Sequence, residues 1–126
     1  MAVLHFTLPT RFVKPTAQFL EQTLGYPRVM TPDNSPVEVV WLDAGGGVLL
    51  HVFFAEGFAV SPFEGEFGRH VAVSYSHAEF PELRKRLVEH GAELAAPIRH
   101  TASDRFFFRE PVNGYVFEVS ASHFDQ

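Results

Sequence analysis

The sequence predicts an α+β fold in which one βαβββ module occurs twice within a single domain. Three pairs of landmarks recur in the same order, at spacings of 65, 66 and 67 residues: His5 and His70, Gly25 and Gly91, and His51 and Glu118. A strand, a helix stop and a late strand that recur together indicate an internal duplication. We therefore expect a first module at residues 1–56, a linker at 57–68 and a second module at 69–126.

The first module begins with an alternating strand and continues with a short helix. Apolar and polar residues alternate over Ala2–Leu8, which places His5 on the face opposite Leu4, Phe6 and Leu8. Pro15 suits the first turn of a helix, and Gly25 suits the left-handed residue that ends it. Strand-forming residues between turn-forming ones then predict three strands: Tyr26–Thr31, Val37–Asp43 and Val48–Ala55.

The second module repeats this order after a linker with no clear period. His70–Tyr75 alternates as a strand, with His70 on the side of the small residues. The S-x-x-E spacing of Ser76 and Glu79 is typical of a capping box at a helix start, and Gly91 suits the end of that helix. Three further strands are expected: Glu93–Ile98, Asp104–Arg109 and Tyr115–Ser120.

Composition excludes several classes of function. The formal net charge of −5 comes without a basic run, so we expect no nucleic-acid partner. The chain has no cysteine, which excludes thiolate catalysis and cysteine-ligated metals. No apolar run suggests a signal peptide or a membrane span, so we expect a cytoplasmic protein with no membrane partner. His77, His90 and His123 are expected to have surface or helix-end roles.

Four polar residues interrupt apolar strands at equivalent points of the two modules. His5 corresponds to His70, and His51 corresponds to Glu118. An ionised carboxylate between Phe and Val is costly to bury unless a cation or a donor meets it. Three imidazoles and one carboxylate suit one divalent ion such as Zn²⁺, Ni²⁺, Fe²⁺, Co²⁺ or Mn²⁺. A hydrogen-bonded core cluster without metal is the alternative.

Two motifs give the chain its resemblance to a known superfamily. Gly-Arg-His-Val-Ala-Val at 68–73 and Glu-Pro-Val-Asn-Gly-Tyr-Val-Phe-Glu at 110–118 resemble those of the vicinal oxygen chelate superfamily, which includes glyoxalase I, fosfomycin and bleomycin resistance proteins and extradiol dioxygenases. The likeness implies a curved, partly open barrel-like mixed sheet with outer helices, and a homodimer. It also implies that His5, His70 and Glu118 are metal ligands, while His51 falls where glyoxalase I has Glu or Gln.

The resemblance leaves three functions open for a small-molecule substrate. The first is a metal-dependent glyoxalase-like isomerase or lyase with Glu118 as the base, although Pro9 and Ala55 stand where glyoxalase I grips glutathione. The second is an Fe²⁺ extradiol-type dioxygenase in which His51 is an acid–base residue. The third is a non-catalytic drug- or metabolite-binding protein of the bleomycin-resistance type. An enzyme is the expectation, with five candidate substrate contacts: Arg11, Arg69, His100, Phe53 and Phe108.

Overall fold

The computed structural model describes residues 1–121, and His123 with the end of the second predicted module lies outside the described residues. The chain divides into two compact units, Met1–Ala59 and Val60–Gln126. Each unit has one α-helix and one four-stranded sheet of mixed direction among its described residues. This arrangement confirms the predicted α+β class and the repeated βαβββ order.

The first unit contains β1 (His5–Thr10), α1 (Val13–Thr23), β2 (Arg28–Val29), β3 (Val39–Asp43) and β4 (Leu49–Phe54). The strand order is β1-β4-β3-β2, with β1 parallel to β4 and the other pairs antiparallel. One face of this sheet is the core face, which packs against α1 and buries Leu8, Leu42, Leu50 and Val52. The strand register places Thr7, Trp41 and His51 on the opposite face, which we call the open face.

The second unit contains β5 (Val71–Ser74), a 3₁₀ turn (His77–Glu79), α2 (Phe80–Glu89), β6 (Glu93–Ala95), β7 (Arg105–Arg109) and β8 (Val116–Ser120). Its strand order, β5-β8-β7-β6, repeats that of the first unit. The core face buries aromatic and aliphatic residues of the sheet and of α2: Phe80, Leu83, Leu87, Phe106, Phe108 and Phe117. The register places Ala72, Phe107 and Glu118 together on the open face.

The predicted helix boundaries have clear physical causes in the structure. A carboxylate oxygen of Glu79 accepts hydrogen bonds from the backbone N–H of Ser76 at 2.9 Å and from its hydroxyl at 3.2 Å. Gly25 and Gly91 have φ values of 78° and 91°, a region that residues with a side chain rarely adopt. The backbone N–H of Ala92 then donates to the carbonyl of Leu87 at 2.9 Å, which closes the end of α2.

Several strand boundaries differ from the sequence prediction. β1 begins at His5 rather than Ala2 and continues to Thr10, while β2 and β6 contain only two and three residues. Both short strands lie at the edge of their sheets, where only one side of the backbone is paired. Thr31 meets β3 through its hydroxyl, which accepts from the backbone N–H of Trp41 at 3.1 Å, so the backbone ladder ends before it. No helix of the described residues is long and apolar enough to cross a membrane.

Candidate metal-binding site

A stack of three parallel rings lies on the open face of the first unit. His51, on β4, stacks on His5 of β1 with a centroid distance of 4.2 Å and an interplanar angle of 14°. The other face of the His51 ring stacks on Trp41 of β3, with a centroid distance of 4.1 Å and an interplanar angle of 6°. Since both faces of the His51 ring are covered, only its edge is available to a ligand.

The electrostatic environment of His51 favours the neutral imidazole. Burial lowers its pKa, and the nearby His5 lowers it further. The Nε2 atom is buried and has no hydrogen-bond partner among the described residues. An unpaired buried polar atom costs about 1–3 kcal/mol, so this position is one that a metal ion or a substrate group would stabilise. Neutral imidazole is also the form that binds metals.

The open face of the second unit brings His70 and Glu118 together. Nε2 of His70 lies 3.2 Å from Oε1 of Glu118, and Nδ1 of His70 lies 2.9 Å from the carbonyl oxygen of Gly65. Because the carbonyl can only accept, Nδ1 carries the proton in this pair. A neutral His70 therefore directs the lone pair of Nε2 at a carboxylate, and this repulsion is relieved by a proton or by a metal ion between the two atoms.

This pair fits a divalent ion in distance and in supporting contacts. Ligand atoms bound at about 2.0–2.2 Å to one metal lie about 3–3.5 Å apart when they occupy adjacent positions. The 3.2 Å separation of His70 and Glu118 falls in that range. Ligating histidines usually donate their other ring N–H to a carbonyl or a carboxylate, which is the role that Gly65 fills here.

The four predicted ligands form two pairs, His5 with His51 in the first unit and His70 with Glu118 in the second. Within residues 1–121, no three His, Asp or Glu side chains are close enough together to hold a metal ion by themselves. A single ion held by ligands from both units therefore stays a prediction.

Arg105 and Glu66 complete the polar network of the second unit. Nη1 of Arg105 lies 3.4 Å from Oε2 of Glu118, and Nη2 donates to Oε2 of Glu66 at 3.1 Å. Sequence reasoning missed both residues. Arg105 begins the aromatic strand β7, which is a weaker signal than that of His51 inside the apolar strand β4. Glu66 lies in a linker without periodicity.

The candidate substrate residues lie in different environments. Phe53 is half-buried on the open face of the first unit, and His100 lines a surface cavity of about 300 Å³ together with Asp104 and Arg105. Arg11 is exposed beside the ring of Phe12.

Two further candidates are occupied by contacts within their own unit. Arg69 forms a 3.1 Å ion pair with the buried Glu64 and lies over the ring of Tyr115. Phe108 is 1% exposed and stacks on Phe117 in the core of the second unit.

The carboxylate of Glu110, which opens the second motif, has a structural role. It is 2% exposed and accepts hydrogen bonds from the backbone N–H groups of Val112 at 2.7 Å, Asn113 at 2.8 Å and Tyr115 at 3.2 Å. The motif therefore fixes the turn before β8, the strand that carries Glu118.

Known structures share this fold across nearly the whole chain. A mutant of the fosfomycin resistance protein FosX from Listeria monocytogenes, complexed with Mn(II) and 1S,2S-dihydroxypropylphosphonic acid, is 18% identical, with a TM-score of 0.75, and the match covers 95% of this chain and 91% of that one. FosX from Mesorhizobium loti is 18% identical, with a TM-score of 0.73, and the match covers 95% of this chain and 90% of that one. A possible glyoxalase from Bacillus cereus is 21% identical, with a TM-score of 0.71, and the match covers 95% of this chain and 98% of that one.

The comparison with curated proteins found no match. A family model, in contrast, matches residues 2–119, which contain both pairs of predicted ligands. The chain belongs to the Glyoxalase/Bleomycin resistance protein/Dioxygenase superfamily.

Proposed function

We propose that this chain is a divalent-metal-dependent enzyme of the vicinal oxygen chelate type that acts on a small substrate with two adjacent oxygens. His5, His70 and Glu118 are its metal ligands, and His51 is a fourth ligand or an acid–base residue. The observation that carries the proposal is the His70–Glu118 pair, whose 3.2 Å contact and Gly65 carbonyl support fit a ligand pair. Membership of the superfamily and the Mn(II) bound to FosX from Listeria monocytogenes support a divalent ion.

The bound ion would hold both substrate oxygens and stabilise the negative charge that develops on them. The protein would then supply proton transfer between adjacent carbons, as in an isomerase or a lyase. Glu118 is the base expected from the sequence, but its two oxygens face His70 and Arg105. A carboxylate whose two oxygens are both held by neighbouring side chains is better suited to stay in place as a ligand than to move and carry a proton. These contacts favour His51, whose Nε2 has no partner among the described residues, as the group that accepts the proton.

Metal titration of the metal-free protein tests this proposal. We expect one divalent ion to bind per predicted site in calorimetry, and His70→Ala or Glu118→Gln to weaken binding by at least about tenfold. His90→Ala is the matched control, because His90 is exposed at the end of α2, where Nδ1 of its ring lies 2.8 Å from the Arg86 carbonyl oxygen. Stoichiometric binding that survives both ligand substitutions would contradict the assignment. A protein that binds no metal would favour the ligand-sequestering alternative.

An Fe²⁺ dioxygenase is the second candidate, because His5, His70 and Glu118 are the residue types of a two-histidine, one-carboxylate triad. Anaerobic loading with Fe²⁺, followed by catechol and oxygen, should give a yellow ring-cleavage product if this reaction occurs. A substrate panel should include 1S,2S-dihydroxypropylphosphonic acid, the ligand of a FosX relative. Saturable binding of that compound in the presence of Mn²⁺ would favour a phosphonate substrate over the glyoxalase-like reaction and the ring-cleaving dioxygenase reaction.

A further inference from the structure

Arg105 is a buried cation on the open face of the second unit, and the proposed reaction does not use it directly. Its side chain is 5% exposed, and Nη2 donates both to Glu66 and to the carbonyl oxygen of Arg99. The Nε–H is buried without an acceptor among the described residues. A buried guanidinium with an unpaired donor is a poor choice for stability alone, so its position calls for another explanation.

The two carboxylate oxygens of Glu118 face different partners, one of which is Arg105. Oε2 faces Nη1 of Arg105 at 3.4 Å, while Oε1 faces Nε2 of His70 at 3.2 Å. The register explains why they meet, since Phe107 pairs with Glu118 and Arg105 lies two residues earlier on the same face of β7. Only one oxygen of the carboxylate is thus directed at the position between Glu118 and His70.

Glu66 fixes Arg105 and connects it to the support of His70. The Glu66 carboxylate accepts hydrogen bonds from the backbone N–H groups of Ile98 at 2.7 Å and Arg99 at 3.0 Å, in addition to that from Arg105. The preceding residue, Gly65, holds Nδ1 of His70 through its carbonyl oxygen. The segment 65–66 therefore orients His70 directly and Glu118 through Arg105.

We propose that Arg105, held by Glu66, is a positioning residue that fixes Oε2 of Glu118 and leaves Oε1 as the single oxygen facing the metal. This inference rests on the proposed function, because it assigns the geometry of the same site. Arg105 touches neither substrate nor metal in this account. It acts through Glu118, by keeping the carboxylate a one-oxygen ligand beside His70.

The test compares Arg105→Gln with Arg109→Gln, a control on the same face of the same strand. Arg109 is exposed, and its side chain donates to the carbonyl of Gly114. Co²⁺ binding is followed by its visible absorption spectrum and its Kd. In metal-free protein, the ¹⁵N chemical shifts of the His70 ring are compared at a single pH. We expect Arg105→Gln to raise the Kd by about tenfold or more, to change the Co²⁺ spectrum and to move the His70 signals.

Arg105→Lys and Glu66→Gln serve as further variants, since loss of a buried cation can affect folding. Lysine keeps the positive charge but lacks the planar guanidinium, so we expect the Co²⁺ affinity and spectrum of Arg105→Lys to lie between those of Arg105→Gln and wild type. A folded Arg105→Gln variant with wild-type Co²⁺ spectrum and His70 signals would overturn the inference while leaving the metal site in place. A wild-type protein that binds no Co²⁺, but whose His70 signals move in Arg105→Gln, would reject the proposed function and support the positioning of Glu118.

Discussion

Trp41 and His51 stack with their ring centres 4.1 Å apart and their planes 6° apart. The two residues are direct partners in the antiparallel pairing of β3 and β4, so the stack follows from the strand register. Trp41 is the only tryptophan of the chain, and it contacts a predicted functional residue. Its fluorescence is therefore a built-in reporter of the state of the His51 ring.

If His51 is the fourth ligand rather than the proton acceptor, metal binding should lower Trp41 fluorescence, because the cation would be bound to the ring that stacks on the indole. The decrease should saturate with the same stoichiometry as calorimetric binding of the metal. His51→Gln removes the stacked imidazole and should abolish most of the response. A metal that binds stoichiometrically without changing the emission of the wild-type protein would argue against His51 as a ligand.

Glu66 should make the stability of the protein dependent on pH in the acid range. The backbone N–H of Ile98 is the largest cause of its lowered pKa, and the N–H of Arg99 and the side chain of Arg105 act in the same direction. A lowered folded-state pKa gives stability that is present above the ordinary value of 4.5 and is lost as the pH falls through the folded-state value. Glu66→Gln should therefore lower the unfolding midpoint at neutral pH.

The difference between wild type and Glu66→Gln should shrink as the pH falls below 4.5. Denaturant unfolding at a series of pH values measures this difference directly. Glu89→Gln is a suitable control, because Glu89 is exposed on α2. A constant difference across the acid range would show that the carboxylate charge of Glu66 is not the source of its effect.

Phe108 and Phe53 provide a matched pair that separates core from open-face roles. Phe108 is 1% exposed, and truncation of such a residue typically costs about 3–5 kcal/mol, so Phe108→Ala should lower the free energy of unfolding by that amount. Phe53 is half-buried on the open face, so Phe53→Ala should have a smaller effect on stability. Chemical denaturation of both variants measures the contrast, and equal losses would contradict the placement of the two faces.

The sequence predicted those features that depend on local pattern. The spacing of His5 and His70 revealed the duplication, and Gly25 and Gly91 marked helix ends because only glycine adopts a positive φ there without strain. The alternation around His70 assigned it to the open face, with Ala72 as its neighbour.

The features that the sequence did not predict depend on contacts between distant segments. The face that each phenylalanine of β7 occupies could not be predicted from three consecutive aromatic residues, and the register shows that Phe108 alternates with Phe107 and lies on the core face. The hydrogen bonds of Glu66 join residues 32 and 33 positions apart along the chain. No pattern in the linker indicates such a contact, because neither periodicity nor turn chemistry determines where a linker carboxylate binds.

X-ray absorption spectroscopy of the Zn²⁺-bound protein tests most directly whether residues of both units ligate one ion. The number of imidazole groups in the first coordination shell is compared among wild type, His5→Ala and His70→Ala. We predict at least two imidazoles in the wild type and the loss of one in each variant. A shell that keeps its imidazole count in His5→Ala, while losing one in His70→Ala, would contradict the shared site.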